Sequence, residues 1–108
     1  MSHCTECIVL HENELGKVGY CFGCESYHLR MNGLLTVVSE EQLITVQQSL
    51  EDMRIDLETN HDVEDVDTGV QIRITKNTYL CLTHPEIING LELIDVGKYM
   101  RNVNELMI

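Results

Sequence analysis

Two Cys-x-x-Cys pairs near the start of the chain are the strongest constraint on what this sequence can fold into. Cys4 and Cys7 form the first pair, Cys21 and Cys24 form the second, and residues 8–20 separate them. A Cys-x-x-Cys turn directs two thiolates at one point, and two such turns brought side by side make a closed tetrahedral zinc site. The spacing therefore predicts one zinc ion held by these four cysteines.

The segment between the two pairs can bring them together. Residues 8–12 alternate enough for a β-strand, residues 13–16 supply turn-forming residues, and residues 17–20 can return as the partner strand. Both cysteine pairs then lie at the same end of one hairpin. We interpret residues 1–26 as a zinc-ribbon-like segment.

Other interpretations of the cysteines stay open. An iron site would use the same thiolates, because ligand softness alone does not separate iron from zinc. Disulfides are disfavoured by the odd number of cysteines, five, and by the reducing compartment that we expect for this chain. A thioredoxin-like redox pair is disfavoured because neither pair is followed by helical periodicity. His3 is the best substitute ligand among the nearby histidines, whereas His11 and His28 are interpreted as surface or outer-shell groups.

Charge and hydropathy restrict the partners. Eighteen acidic residues against seven basic ones give a formal net charge of −11, and no stripe of basic residues occurs. Such a field repels phosphate backbones, so we predict that the chain does not bind nucleic acid. The longest apolar runs are far shorter than the ~20 residues that cross a bilayer. We expect no membrane association and a cytoplasmic location.

The rest of the chain contains a repeat. Residues 27–57 and 70–107 each begin with a predicted β-hairpin and continue into a predicted helix, and an acidic linker, residues 58–69, joins them. The spacing of apolar residues predicts the first helix over residues 40–57. In the second helix the apolar spacing loses phase over residues 97–103, which predicts a bend or a break there.

Local signals mark where the helices and turns begin. Capping boxes are predicted at the two helix starts, where Ser39 precedes Gln42 and Thr83 precedes Glu86 by three residues. The dipeptide at residues 32–33, Asn-Gly, predicts a two-residue hairpin turn. For the second hairpin the repeat favours a three-residue loop at residues 76–78.

The second hairpin completes the predicted architecture. The three-residue loop places Ile72 and Ile74 opposite Leu80 and Leu82. The fold class is then α+β: a zinc-ribbon-like hairpin followed by a duplicated ββα unit. Residues 27–108 are predicted to form a two-layer domain, with the strands of the two later hairpins in one antiparallel sheet and both helices on one of its faces.

The sheet face away from the helices is predicted to carry apolar residues, namely Leu35, Val37, Tyr79 and Cys81. A solvated sheet face normally carries polar residues there. We therefore predict a docking surface for a protein partner, either another protein or a second copy of the chain as a homodimer. The alternative is that the ribbon folds over this face. Cys81 is interpreted as a small apolar residue, because no base is placed beside it.

Catalysis has little support in the sequence. The chain contains no Gly-rich phosphate loop, no nucleophile-elbow pattern and no His-Glu-x-x-His motif. Four cysteines around zinc would leave no open position for water or substrate. We predict that the protein is not an enzyme, and we identify no small-molecule substrate.

Three segments, CFGC at residues 21–24, YHLRMNG at residues 27–33 and VVSEEQL at residues 37–43, carry a family resemblance. The chain resembles a group of short proteins of Bacteroidetes described as domains of unknown function. The resemblance implies a zinc-ribbon-like start and a cytoplasmic bacterial setting, and it implies no activity. We expect a small non-enzymatic zinc-binding protein that acts as an interaction or regulatory module. A nucleic-acid-binding ribbon is the alternative, followed by an iron or thiol electron carrier.

Overall fold

The computed structural model describes residues 7–60 and 69–106, which contain six β-strands and two α-helices. The elements are β1 (Cys7–Glu12), β2 (Gly16–Cys21), β3 (Ser26–Met31), β4 (Leu34–Val38), α1 (Glu40–Asn60), β5 (Val70–Thr75), β6 (Thr78–Leu82) and α2 (His84–Leu106). Strands β1 to β4 form one antiparallel sheet in that order, the main sheet, whereas β5 and β6 form a separate two-stranded sheet. The predicted α+β class is confirmed.

The main sheet differs from the predicted layout. Strand β2 pairs with β3 along its whole length, from Gly16 opposite Met31 to Cys21 opposite Ser26. The prediction that the two later hairpins share one sheet is therefore wrong. The physical reason is the turn at residues 22–25, which closes a hairpin and in which Glu25 has a left-handed φ of 52°. The pairing crosses the predicted boundary between residues 26 and 27.

The two-stranded sheet also corrects a turn. The chain reverses at residues 76–77, so the predicted three-residue loop is wrong. A β-bulge between Arg73 and Thr75 adds one residue to β5, and this bulge places Ile72 opposite Leu80. The apolar residues of β5 and β6 thus share one face as predicted, but their register is wrong, because the three-residue loop would have paired Ile72 with Leu82, which instead lies opposite Val70.

Both helices begin at the predicted capping boxes. The Ser39 N–H donates to Gln42 Oε1 at 2.9 Å and the Gln42 N–H donates to Ser39 Oγ at 3.2 Å, while the Thr83 N–H donates to Glu86 Oε1 at 2.9 Å. Helix α1 continues through residues 58–60 of the predicted linker; linker residues 61–68 lie outside the described residues. Helix α2 runs without interruption to its end, so the predicted break is wrong.

One hydrophobic core joins all of these elements. Helix α2 packs on β1, β2 and α1, whereas α1 also packs on β3, β4 and β5. The buried side chains come from every strand and both helices: Leu10, Leu15, Val18, Tyr20, Tyr27, Leu29, Met31, Val38, Leu43, Val46, Leu50, Ile72, Ile74, Leu82, Ile87, Leu91, Leu93 and Ile94. Both helices therefore cover one face of the main sheet, and no helix of the described residues lies on the other face, here called the outer face. Neither described helix combines the length and the apolar character needed to span a membrane.

Candidate metal centre

Three potential metal ligands meet at one end of the outer face. Cys7 on β1 lies directly opposite Cys21 on β2, so the first hairpin brings one residue of each predicted pair together. His28 on β3 lies opposite Gly19, two residues from Cys21 along β2 and therefore on the same face. The sulfur atoms of Cys7 and Cys21 and a ring nitrogen of His28 all lie within 4.8 Å of one another.

The turn that follows Cys21 helps to orient its sulfur. The Cys24 N–H donates to Cys21 Sγ at 3.3 Å, and the Ser26 hydroxyl donates to the Cys24 carbonyl oxygen at 3.1 Å. The first of these bonds holds the Cys21 sulfur against the backbone of the turn. Cys21 is buried, His28 is half-buried and Cys7 is exposed.

Cys7 ionises less readily beside Cys21 in the absence of a cation. Loss of solvent around the sulfur, followed by the hydrogen bond with Cys21 and the charge of Cys21, raises the pKa of the Cys7 thiol. Like charges that share a site raise a pKa in this way. A bound metal ion reverses the effect, because a coordinating thiol is deprotonated outright.

Among the described residues, the cluster contains neither Cys24 nor His11. Cys4 and His3 lie outside the described residues. Cys24 takes part in a disulfide bond, so its sulfur is not available as a thiolate in this structure. His11 lies on the helix side of the main sheet, where its Nε2 is 3.6 Å from a carboxylate oxygen of Glu92 on α2.

His28 was interpreted from the sequence as a surface or outer-shell group, whereas the structure places it among the potential metal ligands. The predicted layout placed β2 and β3 in separate units. The short distance along the chain between Cys21 and His28 therefore did not indicate that their side chains are close in space. The signal that could have found it is the short turn at residues 22–25. A four-residue hairpin loop puts residues 21 and 26 opposite each other, and hence residue 28 beside residue 19.

The three side chains fit a zinc ion. Cysteine sulfur and histidine nitrogen are the preferred zinc ligands, at about 2.3 Å and about 2.0–2.1 Å. The sulfur atoms of a tetrahedral zinc are then about 3.8 Å apart, so the ligand atoms need only small side-chain movements to close on an ion. Two cysteines and one histidine leave one further position in a tetrahedral shell.

Comparison with known proteins adds the family. The profile of DUF6686, a family of unknown function, matches residues 3–107. The chain belongs to the DUF6686 family. No curated protein and no solved structure matches it. The predicted resemblance to a family of unknown function is thus confirmed at that level, and the DUF6686 match spans the metal-ligand cluster as well as both helices.

The predicted partner-binding residues of this DUF6686 chain form two strips rather than one. Leu35 and Val37 on β4 are 51% and 54% exposed, and they share the outer face of the main sheet with Val9, which is 64% exposed. Tyr79, which is 52% exposed, and the exposed Cys81 lie on β6 in the other sheet. The hairpin of β1 and β2 lies beside β3 in the plane of the main sheet, so this described part of the ribbon does not fold over Leu35 and Val37.

Proposed function

We propose that this protein is a small, non-enzymatic zinc-binding protein in which the metal site stabilises a surface for protein interaction. The convergence of Cys7, Cys21 and His28, whose ligand atoms lie within 4.8 Å of one another, carries the proposal. Structural zinc sites of this kind contribute directly to folding free energy. Zinc at this position would cross-link β1, the strand at the edge of the main sheet, to β2 and β3.

Cys24 is our candidate for the fourth ligand. The sequence predicts a reducing cytoplasmic setting, in which disulfides are rare and the Cys24 thiol would be released. The Cys24 N–H already donates to Cys21 Sγ at 3.3 Å, so the turn holds the backbone of residue 24 next to the cluster. Four protein ligands would close the coordination shell, which supports a structural rather than a catalytic metal.

The first test is the metal content of the reduced protein. We expect one zinc per chain in the wild type, and much weaker zinc binding in His28→Ala. The loss should exceed the roughly 10–100-fold that follows removal of an outer-shell partner, because His28 would be a direct ligand. His84→Ala is the matched control, since His84 lies at the start of α2 away from the cluster. Competition with a chromophoric chelator measures the affinities.

Substitution of the cysteines provides an independent control. Cys21→Ser should abolish zinc binding, whereas Cys81→Ser should retain it, because Cys81 is exposed on β6. A reduced wild-type protein with far less than one zinc per chain and freely reactive thiols would contradict the proposal. A coloured preparation that contains iron would replace zinc with iron at the same ligands.

The interaction role rests on the two exposed apolar strips. Val37 and Tyr79 are each about half exposed, and both lie on β-strands rather than in loops. Exposed apolar residues on a sheet surface mark candidate interaction sites. We propose that a second copy of the chain docks on the strip at Leu35 and Val37, since twofold pairing of one sheet face with itself is self-complementary.

Oligomeric mass tests this part of the proposal. We expect wild-type protein to form dimers at high concentration and Val37→Lys to remain monomeric, with a melting temperature close to that of the wild type because the side chain is exposed. Ile44→Lys is the matched control, since Ile44 is 47% exposed on α1. Tyr79→Lys tests the second strip separately. Light scattering that gives the mass of one chain for the wild type at high concentration would contradict self-association.

A further inference from the structure

A groove crosses the outer face of the main sheet beside the metal-ligand cluster. It has a volume of about 200 Å³ and is lined by Cys7, Ile8, Val9, Lys17, Gly19, His28, Arg30 and Leu35. Pockets for drug-sized ligands are roughly 300–1,000 Å³, so this groove suits only a small molecule. Val9 and Leu35 form its apolar sides, and both are largely exposed.

Gly19 keeps the floor of the groove open. A Cβ atom at position 19 would lie 2.7 Å from the backbone oxygen of Ile8, which is closer than real side chains approach. On either side Gly19 is paired with Val9 and His28. No side chain at position 19 can therefore fill the centre of the groove without moving β1 away from β2.

Two basic residues lie at one end of the groove. Lys17 and Arg30 are directly opposite each other on β2 and β3, and like charges in such a cross-strand pair are destabilising. Within residues 7–60 and 69–106, neither side chain makes a hydrogen bond or an ion pair. Glu12 on β1 lies opposite Lys17, on the side of Lys17 that faces away from Arg30. Its carboxylate therefore does not lie between the two basic residues.

Three other basic residues of this acidic protein have partners elsewhere. Arg54 pairs with Glu51 and Glu58, Arg73 donates to the carbonyl oxygens of Thr75 and Lys76, and Lys98 donates to Gln47. Lys17 and Arg30 thus form a small positively charged region at one end of an apolar groove, in a protein whose net charge is −11. An anion between Lys17 and Arg30 would relieve their repulsion.

We propose that the groove is a binding site for a small organic carboxylate. The carboxylate lies between Lys17 and Arg30, and the apolar part of the ligand lies over Gly19 between Val9 and Leu35. Arginine suits this role because its planar guanidinium can donate two parallel hydrogen bonds to a carboxylate. The row of Gly19 and His28 is about 7 Å from the row of Lys17 and Arg30 along the strands, a distance that a short aliphatic chain spans.

Hexanoate is the probe for the test, with the full-length zinc-loaded protein in low salt. We expect saturable binding, with the largest amide shifts in a nuclear magnetic resonance titration at Val9, Gly19 and Leu35. Arg30→Gln and Lys17→Gln should each weaken binding by about tenfold, the usual loss for a hydrogen bond to a charged group. Arg30→Gln should keep the wild-type melting temperature, because Arg30 is exposed and its removal relieves the repulsion of Lys17.

Matched controls separate the groove from simpler explanations. Lys76→Gln removes an exposed lysine from the β5–β6 turn and should leave hexanoate binding unchanged. Hexanamide, which has the same shape without the charge, should not bind. Val37→Lys, which interferes with the proposed dimer, should leave binding intact because Val37 does not line the groove.

Several outcomes would overturn the proposal. Binding of inorganic phosphate as tightly as hexanoate would remove the role of the apolar groove. Equal weakening by Lys76→Gln would show non-specific attraction of an anion to any lysine. Loss of hexanoate binding in the metal-free, folded protein would mean that the carboxylate coordinates the metal instead of Lys17 and Arg30.

Discussion

Glu86 shows how one residue can join two parts of the molecule. Its carboxylate accepts a hydrogen bond from the Thr83 N–H at the start of α2. The side chain of Asn32, which lies in the β3–β4 turn, is near the same carboxylate. The backbone hydrogen bond of Thr83, and then the side chain of Asn32, lowers the pKa of Glu86. The charged carboxylate thus stabilises the contact between the main sheet and α2.

The lowered pKa predicts a pH dependence. A carboxyl group whose folded pKa is below its unfolded value contributes stability above the unfolded pKa, about 4.3 for glutamate, and that contribution disappears as the pH falls through the folded value. Glu86→Gln should therefore lower the melting temperature at pH 7, by an amount equivalent to about 0.3–1 kcal/mol for a charge at a helix N-terminus. The difference between the two proteins should vanish in acid.

The first capping box supplies the reciprocal control. Gln42 holds the position in α1 that Glu86 holds in α2, and its side-chain oxygen accepts from the Ser39 N–H at 2.9 Å. Gln42→Glu should raise stability at pH 7 and lose the gain in acid. Thermal unfolding at a series of pH values measures both variants. An equal difference between wild type and Glu86→Gln at every pH would contradict the electrostatic explanation.

At the scale of elements, helix α2 shows why the spacing of apolar residues predicted a break that the helix does not have. Gly90 and Gly97 lie on the buried face of α2, where a periodic pattern expects large apolar residues. A Cβ at Gly97 would lie 2.7 Å from Val18 Cγ1, and one at Gly90 would lie 3.3 Å from Leu50 Cδ1. These glycines allow α2 to approach β2 and α1 closely, so the loss of phase in the sequence marks a tight contact rather than an interruption.

Local signals predicted the elements better than their arrangement. The capping boxes at Ser39 and Thr83 and the Asn32–Gly33 turn are short-range features whose chemistry is complete within four residues. The Asn32–Gly33 turn has φ values of 51° and 83°, as a two-residue hairpin turn of this type requires. Sheet order depends on contacts between distant segments, and nothing in the apolar pattern of β3 distinguishes β2 from β5 as its neighbour.

The candidate site could be predicted in part for the same reason. The pairing of Cys7 with Cys21 follows from one hairpin and its turn, which the sequence indicates. His28 joins the cluster only through the pairing of β2 with β3, and the sequence analysis did not predict that pairing. The groove depends on Lys17 and Arg30 facing each other across the same two strands, so it could not be predicted from the sequence either.

At the scale of the whole molecule, the first hairpin is part of the core. Leu10, Leu15, Val18 and Tyr20 are all buried in the single core cluster. Arg101 on α2 stacks over the ring of Tyr20 at 4.2 Å and donates to its hydroxyl at 3.1 Å. The end of α2 therefore rests on the segment that the sequence analysis assigned to a separate ribbon.

This arrangement makes a prediction about the boundary between residues 26 and 27. A chain of residues 27–108 should not fold by itself, because β3 loses its partner strand and α2 loses the surface of β1 and β2 on which it packs. Each buried aliphatic side chain of the first hairpin contributes about 1.5–3 kcal/mol, and three of them approach the net stability of a small domain, about 5–15 kcal/mol. We expect the truncated chain to show no cooperative thermal transition and poorly dispersed amide resonances.

Residues 7–108 provide the matched control, because that chain keeps all eight elements while lacking Cys4. When both chains are measured without metal, residues 7–108 should unfold in one cooperative thermal transition, whereas residues 27–108 should show no such transition. The buried thiol of Cys21 offers a second measurement in the longer chain, since it should react with a thiol reagent only as fast as the whole molecule unfolds, while the exposed Cys81 reacts at once. A folded 27–108 chain with a sharp transition would show that the later segment is an independent domain. Because α2 would then have to bury its apolar face without β1 and β2, such a result would also require a different packing of α2 from the one described here.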